Sequence, residues 1–213
     1  MFDIGETLVR DDRYWASWAD WLGVPRHTLS ALVGAVTALG LDNAEAVHLL
    51  RPGIDLREER RAREDSGHGE YLDETDLYPD VRQGLQGLRD MGIRVCVAGN
   101  QTARAGNLVR GLSLPVDEIA TSEEWGVAKP DLAFFRRVVE LGGAAPGETV
   151  YVGDHPANDI IPAKAAGLLA CMIRRGPWGH LWGNDSAILH SADWRIDSIT
   201  ELPSLLAESS EWS

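Results

Sequence analysis

Lysine is nearly missing from this chain: Lys129 and Lys164 are its only two in 213 residues. Lysine and arginine together number 20 against 33 aspartates and glutamates, a formal net charge of -13. So negative a surface argues against nonspecific nucleic-acid binding and against docking on an anionic membrane leaflet. It also repels a phosphorylated ligand unless a local metal ion or cation reverses the field. Cysteine is scarce too. Cys96 and Cys171 each lie in an apolar run, which reads as two buried thiols and excludes a disulfide framework. No apolar stretch is long enough to span a bilayer, and no basic start followed by an apolar segment marks export. The expectation is a soluble cytoplasmic protein, one domain or one domain carrying an insert, large enough to bury a real core. The acidic surface and the tryptophans are compatible with monomer and dimer alike.

What the chain does have is a regular alternation from Tyr78 onward. Pro79 opens a helical stretch with Val81, Leu85 and Leu88 at helix spacing, and Gly92 stops it. Residues 93–98 read as a short buried strand ending at Gly99-Asn100. A helix over 103–111 and a brief strand near 118–120 follow. Pro130 begins a helix through Phe134, Phe135, Val138 and Leu141 that Gly142-Gly143 ends. Residues 149–152 form a strand with Gly153-Asp154 at its carboxyl end, and a helix from about 158 to 166 leads into a strand over 168–173. Short strands alternating with helices predict a parallel sheet covered by helices, which binds ligands at the carboxyl ends of its strands.

Residues 11–76 have another texture. Trp15, Trp18, Trp21 and Leu22 fall three or four apart, as do Leu29, Leu32, Val33 and Val36, and Ala46, Val47, Leu49 and Leu50 make a third cluster. This predicts an all-helical insert in which the tryptophan stripe is core rather than a ligand platform. The run 57–64 alternates charge and reads as a solvated helix with internal ion pairs. The tail after Trp194 is weakly patterned, and residues 209–213 are expected to be disordered. The first strand stands apart, because only Met1 and Phe2 precede Asp3. Either that strand is very short or the natural start lies upstream, and a clipped central strand would lower stability and loosen the loop after it.

The chemistry gathers at strand ends. Asp3 follows a hydrophobic residue and precedes a turn-forming Gly5 and a Thr7 able to cap the loop. Asp154 follows a strand and a glycine, with Asp159 a helical turn or so beyond. Three carboxylates brought together there suit a hard divalent ion. Lys129, between a loop and a helix-starting proline, can reach a carboxylate or a phosphoryl oxygen. Each piece alone reads as a turn; their order gives them weight.

With these residues the chain resembles the haloacid dehalogenase-like hydrolase superfamily, in its phosphatase-like branch with a helical cap after the first motif. The resemblance runs from Phe2 to about Trp178. It implies an α/β fold, a three-layer Rossmann-like parallel-sheet core of residues 1–10 and 77–208 with an all-helical cap of residues 11–76. It further implies that Asp3 attacks phosphorus, that magnesium is held by Asp3, the Gly5 carbonyl, Asp154 and Asp159, and that Lys129 steadies the nucleophile and the transferring group. Thr7 and Asn158 would support the loops, and the phosphate would lie against Gly99, Asn100 and Lys129. Tyr78-Pro79-Asp80-Val81 resembles the stretch that resumes the core, and Gly176-Pro177-Trp178-Gly179 the loop after the last core strand. The implied partner is a small phosphorylated molecule over which the cap closes.

Two positions depart from the family pattern. Gly5 stands where a second aspartate would protonate the leaving oxygen and activate water, help generally worth about a hundredfold to ten-thousandfold. Gly99 stands where a serine or threonine would offer a side-chain donor to the phosphate. Glu6 and His155 are the nearby candidates for the missing acid and base. A leaving group that needs little protonation, an acyl or aryl phosphate, suits Gly5 best. The rival readings are a catalytically impaired member kept as a phosphometabolite- or partner-binding module, and a dehalogenase-type hydrolase. The carboxylates of the fourth motif weigh against the second rival, and the lysine-free segment 11–76 excludes Schiff-base phosphonate chemistry.

Overall fold

The computed structural model describes residues 1–208, except the side chains of Ala187 and Leu189; the expected disorder of residues 209–213 concerns positions outside those described. The chain divides into two compact units, Met1–Arg10 with the residues from Leu77 onward, and Asp11–Asp76. Among the described residues no helix is long and apolar enough to cross a membrane.

The inserted unit carries helices α1 (Asp12–Leu22), α2 (Arg26–Ala38), α3 (Glu45–Leu50) and α4 (Leu56–Asp65). Its core is Trp18, Leu22, Leu29, Val33, Val36 and Val47, with Trp15 and Trp21 packed on the fringe. The tryptophan stripe is therefore core. Gly23, at φ 71, ends α1 in the left-handed conformation that glycine adopts without strain, and Asp55 caps α4 by accepting from the Arg57 and Glu58 amides. The charged run does form a helix, but not a uniformly solvated one. Arg63 is buried, and Glu59 accepts from the Trp21 indole at 2.6 Å.

The other unit is a Rossmann-like α/β core. After α5 (Val81–Asp90) come β1 (Cys96–Gly99), α6 (Ala103–Gly111), β2 (Glu118–Thr121), α7 (Ser122–Trp125), α8 (Leu132–Gly142), β3 (Val150–Gly153), α9 (Ile161–Ala165), β4 (Leu169–Ile173), α10 (Gly176–Trp182), α11 (Ser186–Ser191), β5 (Trp194–Ile196) and α12 (Leu202–Glu208). β1 pairs with β2, and β3 with β4 and β4 with β5, all in parallel. Phe2 bridges in parallel to both Val97 and Val152 and so joins the two groups of strands. Phe134, Phe135 and Val138 of α8 pack with Tyr151, Ile160 and Met172 in the main apolar cluster.

The residues Met1 to Asp3 are tied into the sheet on both sides. The Phe2 amide donates to Cys96 and its carbonyl accepts from Ala98, while Asp3 donates to Val152 and Met1 accepts from Val152, all at 2.8–2.9 Å. Asp3 is thereby set at the carboxyl end of the sheet between β1 and β3.

One expectation needs correction, and one weakly patterned stretch inside the expected core is ordered. The stretch from Pro156 to Ile160 is a single π-helical turn, and α-helix begins only at Ile161. The tail after Trp194 is structured, since β5 extends the sheet and Ile196, Ile199 and Leu202 are buried. A three-residue strand is too short to leave a periodic pattern, and the tail is held instead by Asp80, which accepts from the Ser198 hydroxyl and the Ile199 amide.

Candidate active site

The loop after Asp3 turns tightly. The Leu8 and Val9 amides both donate to the Ile4 carbonyl, Gly5 bridges to Val9, and Val9 pairs antiparallel with Leu77 where the chain returns from the insert. Asp154 leaves the end of β3 and Asp159 sits on the π-helical turn just after it, so two segments far apart in sequence deliver Asp3 and the Asp154–Asp159 pair to one point. One carboxylate oxygen from each lies within 4.8 Å of the others, and all three residues are buried. Gly153 makes this approach possible, because a Cβ there would meet Asp159 Oδ2 at 2.3 Å.

Lys129 stands in the same cluster. Its Nζ lies 2.7 Å from Asp3 Oδ1 and donates to Asp159 Oδ1 at 2.6 Å. The rings of Tyr151 and Phe134 wall it at 5.5 and 5.9 Å. Burial alone would strip its proton, but the charges of Asp159 and Asp3 outweigh burial and hold the ammonium well above its ordinary range. The carboxylates respond the other way. Burial, with help from Asp159, pushes Asp3 up to about 6 against the opposing pull of Lys129. Burial and then the charges of Asp159, Asp3 and Glu6 drive Asp154 well above the carboxylate range. Three buried carboxylates share one ammonium, and the excess negative charge is the electrostatic condition a divalent cation relieves. The all-oxygen donor set fits a hard ion.

The other predicted residues fall around this cluster in different ways. Thr7 is wholly buried, and its carbonyl accepts from Arg175 at 2.6 Å. Gly99 lies against the nucleophile candidate, since a Cβ on it would stand 2.5 Å from Asp3 Oδ1. The Asn100 side chain does not face outward for a ligand but grips the Lys129 peptide, donating to its carbonyl at 2.9 Å and accepting from its amide at 2.8 Å. His155 caps the π-helical turn, its Nδ1 accepting from the Ala157 and Asn158 amides at 3.2 Å, and its ring stacks on Trp178 at 3.7 Å. The His155 amide donates to Asp159. Glu6, in a left-handed conformation at φ 49, accepts from the Tyr78 phenol at 2.5 Å.

Sequence reasoning missed Tyr78 and Arg175 as individual side chains. The Arg175 guanidinium covers the Tyr78 ring at 4.2 Å, pairs with Asp80 and holds the Thr7 carbonyl. These contacts close over large sequence separations; the only local signal was that Tyr78 and Asp80 open the returning segment.

A sequence model of the family described as haloacid dehalogenase-like hydrolase matches residues 1–167. A glyceraldehyde 3-phosphate phosphatase of Methanocaldococcus jannaschii is 34% identical over 128 residues, 59% of this chain and 54% of that protein. The chain thus spans about half the length of this curated relative. Among solved structures, a HAD phosphatase from Thermococcus onnurineus superposes with a TM-score of 0.60 at 22% identity, covering 96% of this chain and 95% of the other. A 2-haloacid dehalogenase from Pseudomonas syringae pv. Tomato superposes at 0.58 with 24% identity, covering 100% and 97%. At these identities the two structures speak to the fold alone.

Proposed function

The chain belongs to the haloacid dehalogenase-like hydrolases, and from that membership and the acidic cluster we propose that it is a magnesium-dependent phosphohydrolase acting on a small phosphorylated metabolite. The observation that carries the reading is the meeting of Asp3, Asp154 and Asp159 with the Lys129 ammonium at one buried point. In this reading Asp3, Asp154, Asp159 and the Gly5 carbonyl hold the metal. Magnesium, when bound, supplies positive charge against the acidic cluster and the phosphoryl oxygens.

Asp3 attacks phosphorus in line; a bond forms from its carboxylate oxygen to phosphorus and the bond to the leaving oxygen breaks. Lys129 neutralises charge developing on the transferring group. Water then attacks the phosphorus of the aspartyl phosphate, releasing inorganic phosphate and regenerating the carboxylate. Gly5 offers no proton to the leaving oxygen, so that oxygen leaves best when it is already a weak base, as in an acyl or aryl phosphate. The backbones of Gly99 and Asn100 serve the phosphate, Thr7 and Asn158 support the loops, and residues 11–76 act as the cap that selects substrate. The two free, buried cysteines support a reducing, cytoplasmic setting.

The test is phosphate release by the purified full chain with magnesium from a panel of acetyl phosphate, p-nitrophenyl phosphate and triose phosphates. Release is expected, and Asp3→Asn should abolish it with the circular dichroism spectrum unchanged. Turnover at the wild-type level in that variant would remove Asp3 as nucleophile. No release from any member of the panel would turn the reading toward an impaired, ligand-binding protein, which Gly5 favours.

A further inference from the structure

Arg175, just beyond β4, is a buried cation of the α/β core, only 6% exposed. Its guanidinium divides its donors between two partners. Nη1 donates to the Thr7 carbonyl at 2.6 Å. Nη2 pairs with Asp80, which in turn accepts from the Ser198 hydroxyl and the Ile199 amide at 2.6 and 2.8 Å. The Tyr78 ring, 4.2 Å from Arg175 Cζ, covers one face of the guanidinium. One side chain thus ties the turn after Asp3 to the returning segment and, through Asp80, to the segment around Ser198.

The turn that Arg175 reaches is strained. Glu6 lies at φ 49, in the left-handed region that a residue with a Cβ adopts at a cost. Among the described residues only Glu6 and Ser113 do so without being glycine. Such a conformation persists where its surroundings over-determine it. Here successive residues of one loop grip successive residues of the other. Arg175 holds the Thr7 carbonyl, and Gly176 packs so closely on Glu6 that a Cβ there would meet its Cγ at 2.6 Å. The Tyr78 phenol holds Glu6 Oε2 at 2.5 Å. A hydrogen bond from a charged donor is stronger than one between neutral groups, so the Arg175–Thr7 bond is a firm tether on the backbone of the turn. A lysine ammonium is a point charge on a shorter reach, without the rigid fork of N–H groups that meets Thr7 and Asp80 together.

We infer that Arg175 is a positioning residue, which holds the turn over residues 5–8 in its strained conformation by its bond to the Thr7 carbonyl. The consequence for the metal rests on the phosphohydrolase reading, in which the Gly5 carbonyl, two residues before Thr7, is a ligand. With the tether gone the turn relaxes, that carbonyl loses its set position and magnesium binds less tightly. Groups that orient a metal's ligands contribute about ten- to a hundredfold in affinity or activity.

The experiment uses the full chain. Amide hydrogen exchange is read at Glu6, Leu8 and Val9, whose N–H groups close the turn, and at Ala98 and Val152, which donate to Phe2 and Met1 in the sheet. Magnesium affinity is measured by calorimetry, and phosphate release from acetyl phosphate is resolved into kcat and KM. Arg175→Lys should speed exchange at Glu6, Leu8 and Val9 by about tenfold or more, the loss of one hydrogen bond from a charged donor, with Ala98 and Val152 unchanged. It should weaken magnesium binding by about tenfold or more and lower kcat with KM little altered. Ser198→Ala loosens Asp80 from the far side, and should lower the thermal midpoint without moving magnesium affinity or exchange in the turn. Wild-type exchange at all three turn amides in Arg175→Lys, equal acceleration of turn and sheet amides, or the same losses in Ser198→Ala would make Arg175 a stability residue and overturn the inference. Faster turn exchange with unchanged magnesium affinity would support the tether and remove the Gly5 carbonyl from the metal. If wild type neither binds magnesium nor releases phosphate, the phosphohydrolase reading falls and exchange alone decides the role of Arg175. Should Arg175→Lys fail to fold, Arg175→Gln is read in the same way, and failure of both to fold overturns the inference.

Discussion

The Asn100 side chain clasps the peptide of Lys129 from both sides, its amide donating to the carbonyl at 2.9 Å and its oxygen accepting from the N–H at 2.8 Å. Because Lys129 Nζ reaches Asp3 and Asp159 together, this clasp fixes the backbone from which the Lys129 ammonium extends. Asn100→Ala should destabilise the fold by about 1–3 kcal/mol through the two unmade bonds. It should also lower kcat by about ten- to a hundredfold through misplacement of Lys129. Asn100→Asp keeps the acceptor but sets a carboxylate against the Lys129 carbonyl, so it should be at least as damaging as Asn100→Ala. Denaturant unfolding and phosphate release on one panel of variants check both effects. An Asn100→Ala protein with wild-type kcat would remove the clasp from the mechanism.

Gly99 invites a repair that should fail. Restoring serine at this position would seem to give the phosphate a hydroxyl donor. Its Cβ, however, would stand 2.5 Å from Asp3 Oδ1, the oxygen that Lys129 holds at 2.7 Å. The carboxylate would have to swing away from the ammonium to make room. Gly99→Ser is therefore expected to lower turnover, by about tenfold or more if Asp3 shifts by about an ångström, and to weaken magnesium binding measured by calorimetry. A gain in activity would mean that Asp3 relaxes without loss.

Much of this site was legible because its signals are local. Asp154 and Asp159 both follow the carboxyl end of one strand, Lys129 precedes a helix-starting proline, and the alternation of apolar runs predicts a parallel sheet that brings such loops together. The helical character of residues 11–76 was legible for the same reason: Trp18, Leu22, Val33 and Val36 recur at helix spacing. What escaped was either short or long-range. β5 has three residues, too few to show a period. Arg63 sits in a run of charges whose pattern says solvent, yet its side chain is buried against Trp18, forty-odd positions away in the chain. The Tyr78–Glu6 and Arg175–Asp80 pairs close only once the sheet has formed, and neither has a spacing to read.

The acidic cluster makes stability depend on pH and metal in a definite direction. Asp3 is pushed up to about 6 by burial and by Asp159, and Asp154 is raised as well. An acid whose folded pKa exceeds its unfolded value is penalised as it ionises in the folded state. The penalty is absent below the unfolded value near 4, grows as pH rises through the window to about 6 and is fully present above it. In EDTA the thermal midpoint should therefore fall as pH rises from about 4 to about 6. Magnesium should raise it most at the upper end, where the carboxylates are charged. Asp154→Asn should flatten the fall and reduce the magnesium response. A midpoint in EDTA that rose across this window would reverse the sign and contradict the account.

Gly5 has no side chain with which to protonate a leaving oxygen. Glu6 is the nearest carboxylate in the loop, and its surroundings hold it as an acceptor. Burial and the Glu6 charge keep the Tyr78 phenol protonated far above neutral pH, and that phenol donates to Glu6 Oε2 at 2.5 Å. Gly176, at φ 57, packs so closely that a Cβ on it would meet the Glu6 side chain at 2.6 Å. Held by that bond and by the close packing of Gly176, the Glu6 side chain is expected to brace the loop rather than to serve as the proton donor. Leaving-group dependence separates these roles. Glu6→Gln should change turnover of aryl and alkyl phosphates by the same modest factor. Gly5→Asp should raise turnover of alkyl phosphates by about a hundredfold or more while gaining far less on acyl or aryl esters, whose oxygens leave without a proton. A selective collapse of alkyl phosphate turnover in Glu6→Gln would instead place the missing acid on Glu6, with Tyr78 as the residue that orients it.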